Sequence, residues 1–117
     1  MDNPNSHTDS RGTITDLLVT DDYSVTHITF TDGAVRGNHY HKETQQIDTV
    51  LKGSLVCYQD GNSVIIKSGE IVMHDKGVKH AYKALTDAEI ISTCFGKRRG
   101  EHYEEDTFRL SDDEKLI

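Results

Sequence analysis

Two of the seven histidines, His39 and His41, stand two residues apart, and on an extended strand that spacing turns both rings toward one face. Two imidazoles on one face can share a metal ion at about 2.0–2.1 Å. Other residues are spaced regularly around the pair. Gly33 precedes His39 by six positions, Gln46 follows His41 by five, and Gly53 follows Gln46 by seven. In a second block, Gly77 lies eight after Gly69 and His80 three after Gly77. Strand alternation adds neighbours to this set. A strand that turns Gln46 inward also turns Asp48 and Val50 inward, and one that turns His80 inward does the same for Tyr82 and Ala84. Asp48 and Tyr82 would bring a carboxylate and a phenol beside the histidines, each able to move a proton at a substrate carbon or hydroxyl. Two quieter roles fit the same positions: Asp48 orienting a ligand histidine, and Tyr82 forming a wall.

These residues have to be carried by strands. Runs rich in β-branched residues recur at 13–19, 24–30, 46–51, 54–59, 63–66, 70–74, 81–84 and 89–95. Turn-forming pairs separate them, and Asp60-Gly61 between two such runs predicts a tight hairpin. About eight short strands with no helical period predict an all-β sandwich or jelly roll. Residues 1–12 are expected to be a flexible arm, 13–110 the barrel, and 111–117 a polar tail that starts a last turn or frays. His7 and His102 are expected in solvent.

The length of 117 residues suits one domain, yet only 34% of the chain is hydrophobic and 28% is charged. So lean a composition predicts burial against a partner subunit, most simply a homodimer. A net charge of −7 disfavours nucleic acid and anionic membranes as partners, though a few local arginines can still hold one anionic ligand. No apolar run nears the roughly 20 residues that span a bilayer, and the polar start does not read as a secretory signal. Cys57 and Cys94 form no CxxC pair, which suits reduced thiols in a cytoplasmic protein.

Residues 33–53 and 69–80 resemble the two motifs of the cupin superfamily. The resemblance implies a double-stranded β-helix barrel with one divalent metal ion held by His39, His41, Gln46 and His80. Three positions depart from the pattern: Gln46 replaces a glutamate, Asp75 a proline and Ala84 an asparagine. Gln46 can coordinate through its amide oxygen but brings no charge; Gln45 competes for the role, with the register to Gly53 favouring Gln46. Such a neutral donor set leaves the ion a stronger Lewis acid. Zn²⁺ suits three imidazoles and an oxygen, while Fe²⁺, Mn²⁺ and Ni²⁺ also fit. On this reading Gln46→Glu should retain or tighten metal binding.

Shorter segments resemble narrower groups. Arg36-Gly37-Asn38-His39-Tyr40 and Asp9-Ser10-Arg11-Gly12 resemble segments of the dTDP-4-dehydrorhamnose 3,5-epimerase type. Residues 36–42 with Gln46 resemble the dTDP-sugar 3,4-ketoisomerases, and residues 36–41 the C-terminal cupin of capsular-polysaccharide assembly proteins. The resemblance to the epimerases implies that His39 is a catalytic base and that Arg36 and Arg11 hold a nucleotide sugar, as guanidinium groups grip phosphates. The expected function is metal-assisted isomerisation or epimerisation of an oxidised, nucleotide-linked sugar, with His39, Asp48 or Tyr82 moving the proton. A metal-dependent dioxygenase and a non-catalytic metal- or sugar-binding module are the alternatives.

Overall fold

A computed structural model describes residues 5–96 and 106–117, so His102 lies outside the described residues. Within them every regular element is a strand: β1 (Ser6–Asp9), β2 (Gly12–Val19), β3 (Tyr23–Phe30), β4 (Val35–Tyr40), β5 (Gln45–Lys52), β6 (Ser54–Gln59), β7 (Asn62–Lys67), β8 (Ile71–His74), β9 (His80–Ala84), β10 (Ala88–Phe95) and β11 (Phe108–Arg109). They form a six-stranded sheet, ordered β1-β2-β3-β10-β5-β8, and a five-stranded sheet, ordered β11-β4-β9-β6-β7. Among the described residues these strands pair antiparallel, and the fold is an all-β jelly roll.

Alternation decides what lies between the sheets. Ile28, Phe30, Val50 and Ile90 from the larger sheet meet Leu55, Cys57, Ile66, Tyr82 and Ala84 from the smaller one. Farther along the same strands the inward residues become polar. β5 turns in Gln46, Asp48 and Val50; β10 turns in Cys94, Ser92 and Ile90 opposite them; His74 lies beside Gln46 on β8. One end of the barrel is therefore an apolar core, and the other is a buried polar site.

The β6–β7 hairpin forms as the Asp60-Gly61 pair predicts, with both residues at positive φ (52° and 73°), which suits the twist of a two-residue turn. The eight expected strands are present with ends shifted by a residue or so, and β1, β4 and β11 join them. The expected flexible arm is corrected from Ser6 onward. Residues Ser6–Asp9 pair with β2, and Ser6 and Thr15 hydroxyls meet at 3.0 Å. A turn at Ser10-Arg11, in which the Arg11 N–H donates to Asp9 Oδ1 at 2.8 Å, makes this hairpin possible. The tail is anchored as well: Leu110 is buried, Glu114 N–H donates to the Ser111 carbonyl, and Leu116 N–H donates to Asn38 Oδ1 at 2.8 Å.

Candidate metal centre

His39 lies near the end of β4 and His80 at the start of β9, directly opposite in the ladder. That opposition depends on an irregularity: Gly37 pairs with Ala81, Asn38 is skipped, and His39 pairs with His80. Gly37 and Asn38 take positive φ of 94° and 56° to make this bulge. His41 follows just beyond the strand. One nitrogen from each of His39, His41 and His80 lies within 4.8 Å of the others, and all three residues are buried. Donors bound to one ion at about 2.0–2.1 Å stand roughly 3–4 Å apart, so a small inward movement closes the triangle.

Hydrogen bonds determine what these rings offer. His41 Nδ1–H donates to the Asp106 carbonyl at 2.8 Å, and His80 Nδ1–H donates to the Val78 carbonyl at 3.0 Å. A carbonyl only accepts, so each neutral ring keeps its lone pair on Nε2. His80 Nε2 is buried with no hydrogen-bond partner. Burial, with His74 next to it, pushes the His80 pKa down to about 3 and keeps the ring neutral. His41 Nε2 lies 2.9 Å from Gln46 Oε1. The Gln46 amide is turned by its other end, since Nε2 donates to both oxygens of Asp48 at 3.0 and 2.8 Å. With the His41 ring neutral, acceptor faces acceptor between His41 and Gln46, an arrangement that a shared cation satisfies. Together with the unpartnered His80 nitrogen, it makes the donor set fit a divalent metal. Gln45 is excluded as the ligand: its amide lies on the outer side, bonded to Asp75 Oδ1 at 3.0 Å.

Behind the ligands lies a second layer. Asp48 is fully buried and accepts from Gln46 and from the Tyr82 hydroxyl. His74 Nε2 stands 2.6 Å from that hydroxyl and 3.3 Å from Asp48 Oδ2, and His74 Nδ1 donates to Gln59 Oε1 at 2.6 Å. The His74 ring stacks on His80 with centroids 4.0 Å apart. Burial alone would push the Asp48 carboxyl up, but hydrogen bonds from His74, Tyr82 and Ser92 hold it below the usual carboxylate range.

The cavity in front of the ligands is lined by Phe30, Arg36, His39, Gln46, His80 and Tyr82 among others, and leaves about 20 Å³ for water. A single water needs about 10–15 Å³ of such space, so the cavity admits a small oxygen-bearing group. Of the expected proton-moving residues, His39 and Tyr82 reach it. Asp48 does not line it, which corrects its expected place: it orients the Gln46 amide from behind, and the histidine it contacts is His74, not one of the three in the metal cluster. Arg36 is buried, donates to the Thr29 carbonyl at 3.3 Å and lies over the Phe30 ring. Arg36 and Gly37 also border a second pocket of about 260 Å³, whose walls include Arg11, Arg109 and Lys115. The structure thus brings Arg11 and Arg36 together, with Arg11 also gripping Asp9 at 2.6 Å and holding that carboxyl well below its usual range.

A family model for the cupin domain matches residues 26–94. The chain belongs to the cupin family. Solved cupin structures share its fold. KdgF from Halomonas sp. is 23% identical with a TM-score of 0.66, over 74% of this chain and 79% of that one. A predicted oxalate decarboxylase from Thermotoga maritima is 23% identical with a TM-score of 0.68, over 72% and 79%. The capsular polysaccharide assembling protein CapF from Staphylococcus aureus is 22% identical with a TM-score of 0.71, over 91% of this chain but 32% of that one. No curated protein matches.

Two contributors to this cupin's site were not singled out from sequence. His74 was within reach of alternation, because it shares its inward face with Val72. Asp106 had no such signal: its carbonyl holds His41 across 65 residues, and its carboxylate accepts from Lys42 N–H, Glu43 N–H and the Thr44 hydroxyl.

Proposed function

We propose that this cupin is a metal-dependent isomerase or epimerase that moves a proton on a small oxidised sugar carried as a nucleoside diphosphate. The observation that carries the reading is the buried cluster of His39, His41 and His80, with His80 Nε2 unpartnered and Gln46 Oε1 turned toward His41, beside the Tyr82 phenol. His39, His41, Gln46 and His80 would hold the ion, which supplies polarisation of a carbonyl oxygen. Tyr82 lines the same cavity, and its hydroxyl is chained to Asp48 and His74, so a proton passed to or from the substrate has a buried path. The small cavity takes only the reacting end of a ligand. An anionic handle such as a diphosphate would sit in the adjoining pocket lined by Arg11, Arg36, Arg109 and Lys115.

Elemental analysis of protein purified without added ions tests the reading. About one divalent ion per chain is expected, with most of it lost in His41→Ala and in His80→Ala, since each ring is one of four donors. Unchanged metal content in both variants would end it. Bound iron with oxygen uptake would move the assignment to a dioxygenase. Zinc with no turnover of any keto-sugar nucleotide would leave a metal-binding module.

A further inference from the structure

The geometry points to Asp48 as the residue that makes Gln46 a metal ligand. It turns the amide so that oxygen faces the histidines, and it supplies from one hydrogen bond away the negative charge that Gln46 lacks. This inference rests on the metal reading above.

A glutamine can present either end of its amide, and an NH2 group turned inward would oppose a cation. Asp48 settles the choice. Both of its oxygens lie within 3.0 Å of Gln46 Nε2, and an ionised carboxylate only accepts. The two residues are neighbours on one face of β5, so the contact is local and built into the strand. Asp48 cannot swing away, because Tyr82 and His74 hold it and none of it is exposed.

The same contacts argue against tighter binding in Gln46→Glu. A carboxylate at that position would face the Asp48 carboxylate at the 2.8–3.0 Å now spanned by the amide N–H, so the pair either repels or must take up a proton that metal binding has to displace. Like charges in so dry a place repel strongly. The site therefore tolerates one negative charge, at position 46 or at position 48, but not at both.

Zinc titration calorimetry on the metal-free full chain tests this with four proteins: wild type, Asp48→Asn, Gln46→Glu, and Gln46→Glu/Asp48→Asn. Asp48→Asn alone should weaken zinc binding by about tenfold or more, the usual scale for losing an orienting partner behind a ligand. In the Gln46→Glu background the same change should strengthen binding, so the sign of its effect reverses. A merely structural aspartate would weaken both backgrounds alike. The inference fails if Asp48→Asn changes affinity by less than about twofold, or by the same factor in both backgrounds. Should Asp48→Asn alone not fold, Gln46→Glu and the double variant decide: the double variant must bind zinc more tightly and melt higher, and the opposite order overturns the inference. Wild type that binds no zinc, or His80→Ala that binds as well as wild type, would refute the metal reading instead.

Discussion

His80 keeps its Nε2 lone pair because its surroundings exclude water, and that neutrality has a cost in acid. Its pKa is near 6.5 in an unfolded chain and about 3 here, lowered first by burial and then by His74. Between those values the unfolded chain binds a proton that the folded chain lacks. Stability therefore rises with pH across the window from about 3 to 6.5 and is lost on acidification, by up to about 1.4 kcal/mol per pH unit. Around the ring stand His74, His41 and Asp48, and the depressed Asp48 carboxyl adds its own loss only at lower pH. For the metal-free protein, the urea midpoint is expected to fall steadily from pH 6.5 to 4.5, and His80→Ala should flatten that fall. An equal slope in wild type and variant would show that His80 is not the proton acceptor responsible.

At the scale of elements, the site depends on one bulge. Skipping Asn38 sets His39 opposite His80; a regular β4 would put Asn38 there and turn the His39 ring away. The C-terminal segment fastens this irregular point, since Leu110 N–H donates to the Asn38 carbonyl and Leu116 N–H to its side chain. At Gly37, φ is +94°, and an added Cβ would lie 2.9 Å from Ala81 Cα and 3.0 Å from the His80 carbonyl oxygen. Gly37→Ala should cost about 1–3 kcal/mol of stability and weaken zinc binding as well. Gly61→Ala, strained at φ +73° but with open space around it, should lower only the melting temperature. Zinc affinity unchanged in Gly37→Ala would mean that the bulge does not place the ligands. This element also marks the limit of what the sequence shows. The short strands, the inward faces of β5 and β9, and the choice of Gln46 over Gln45 follow from alternation and glycine spacing. Alternation puts Asp48 on the face of Gln46 but not behind it, so Asp48 reads as facing a substrate or a ligand histidine until its hydrogen bonds to the Gln46 amide are seen. The alignment of His74 with Gln46, and the reach of Asp106 to His41, depend on strand order across the barrel.

For the whole molecule, the question is how a chain of net charge −7 would hold an anion. Distance answers it: at physiological ionic strength charges farther than about 8 Å are largely screened, so the nearest groups dominate. Those at the second pocket are Arg11, Arg36, Arg109 and Lys115, with Arg11 shared with Asp9 and Lys115 with Asp112 at 3.2 Å. A nucleoside diphosphate sugar should therefore bind far better than the free sugar, and calorimetry should show its affinity falling as salt is added. Arg36 is a poor sole probe, because alanine there also removes packing on Phe30. Arg109 is exposed, so Arg109→Ala should weaken the diphosphate ligand more than it weakens zinc. Arg36→Ala should cost more, about tenfold or above on the scale of charge-assisted hydrogen bonds, and lower the melting temperature too. If dTDP and UDP sugars show no affinity, and Arg36→Ala alters thermal stability alone, the arginines only brace β4. The sugar-nucleotide assignment would then fall, while the metal centre, which shares only the Arg36–Gly37 wall with that pocket, would stand on its own test.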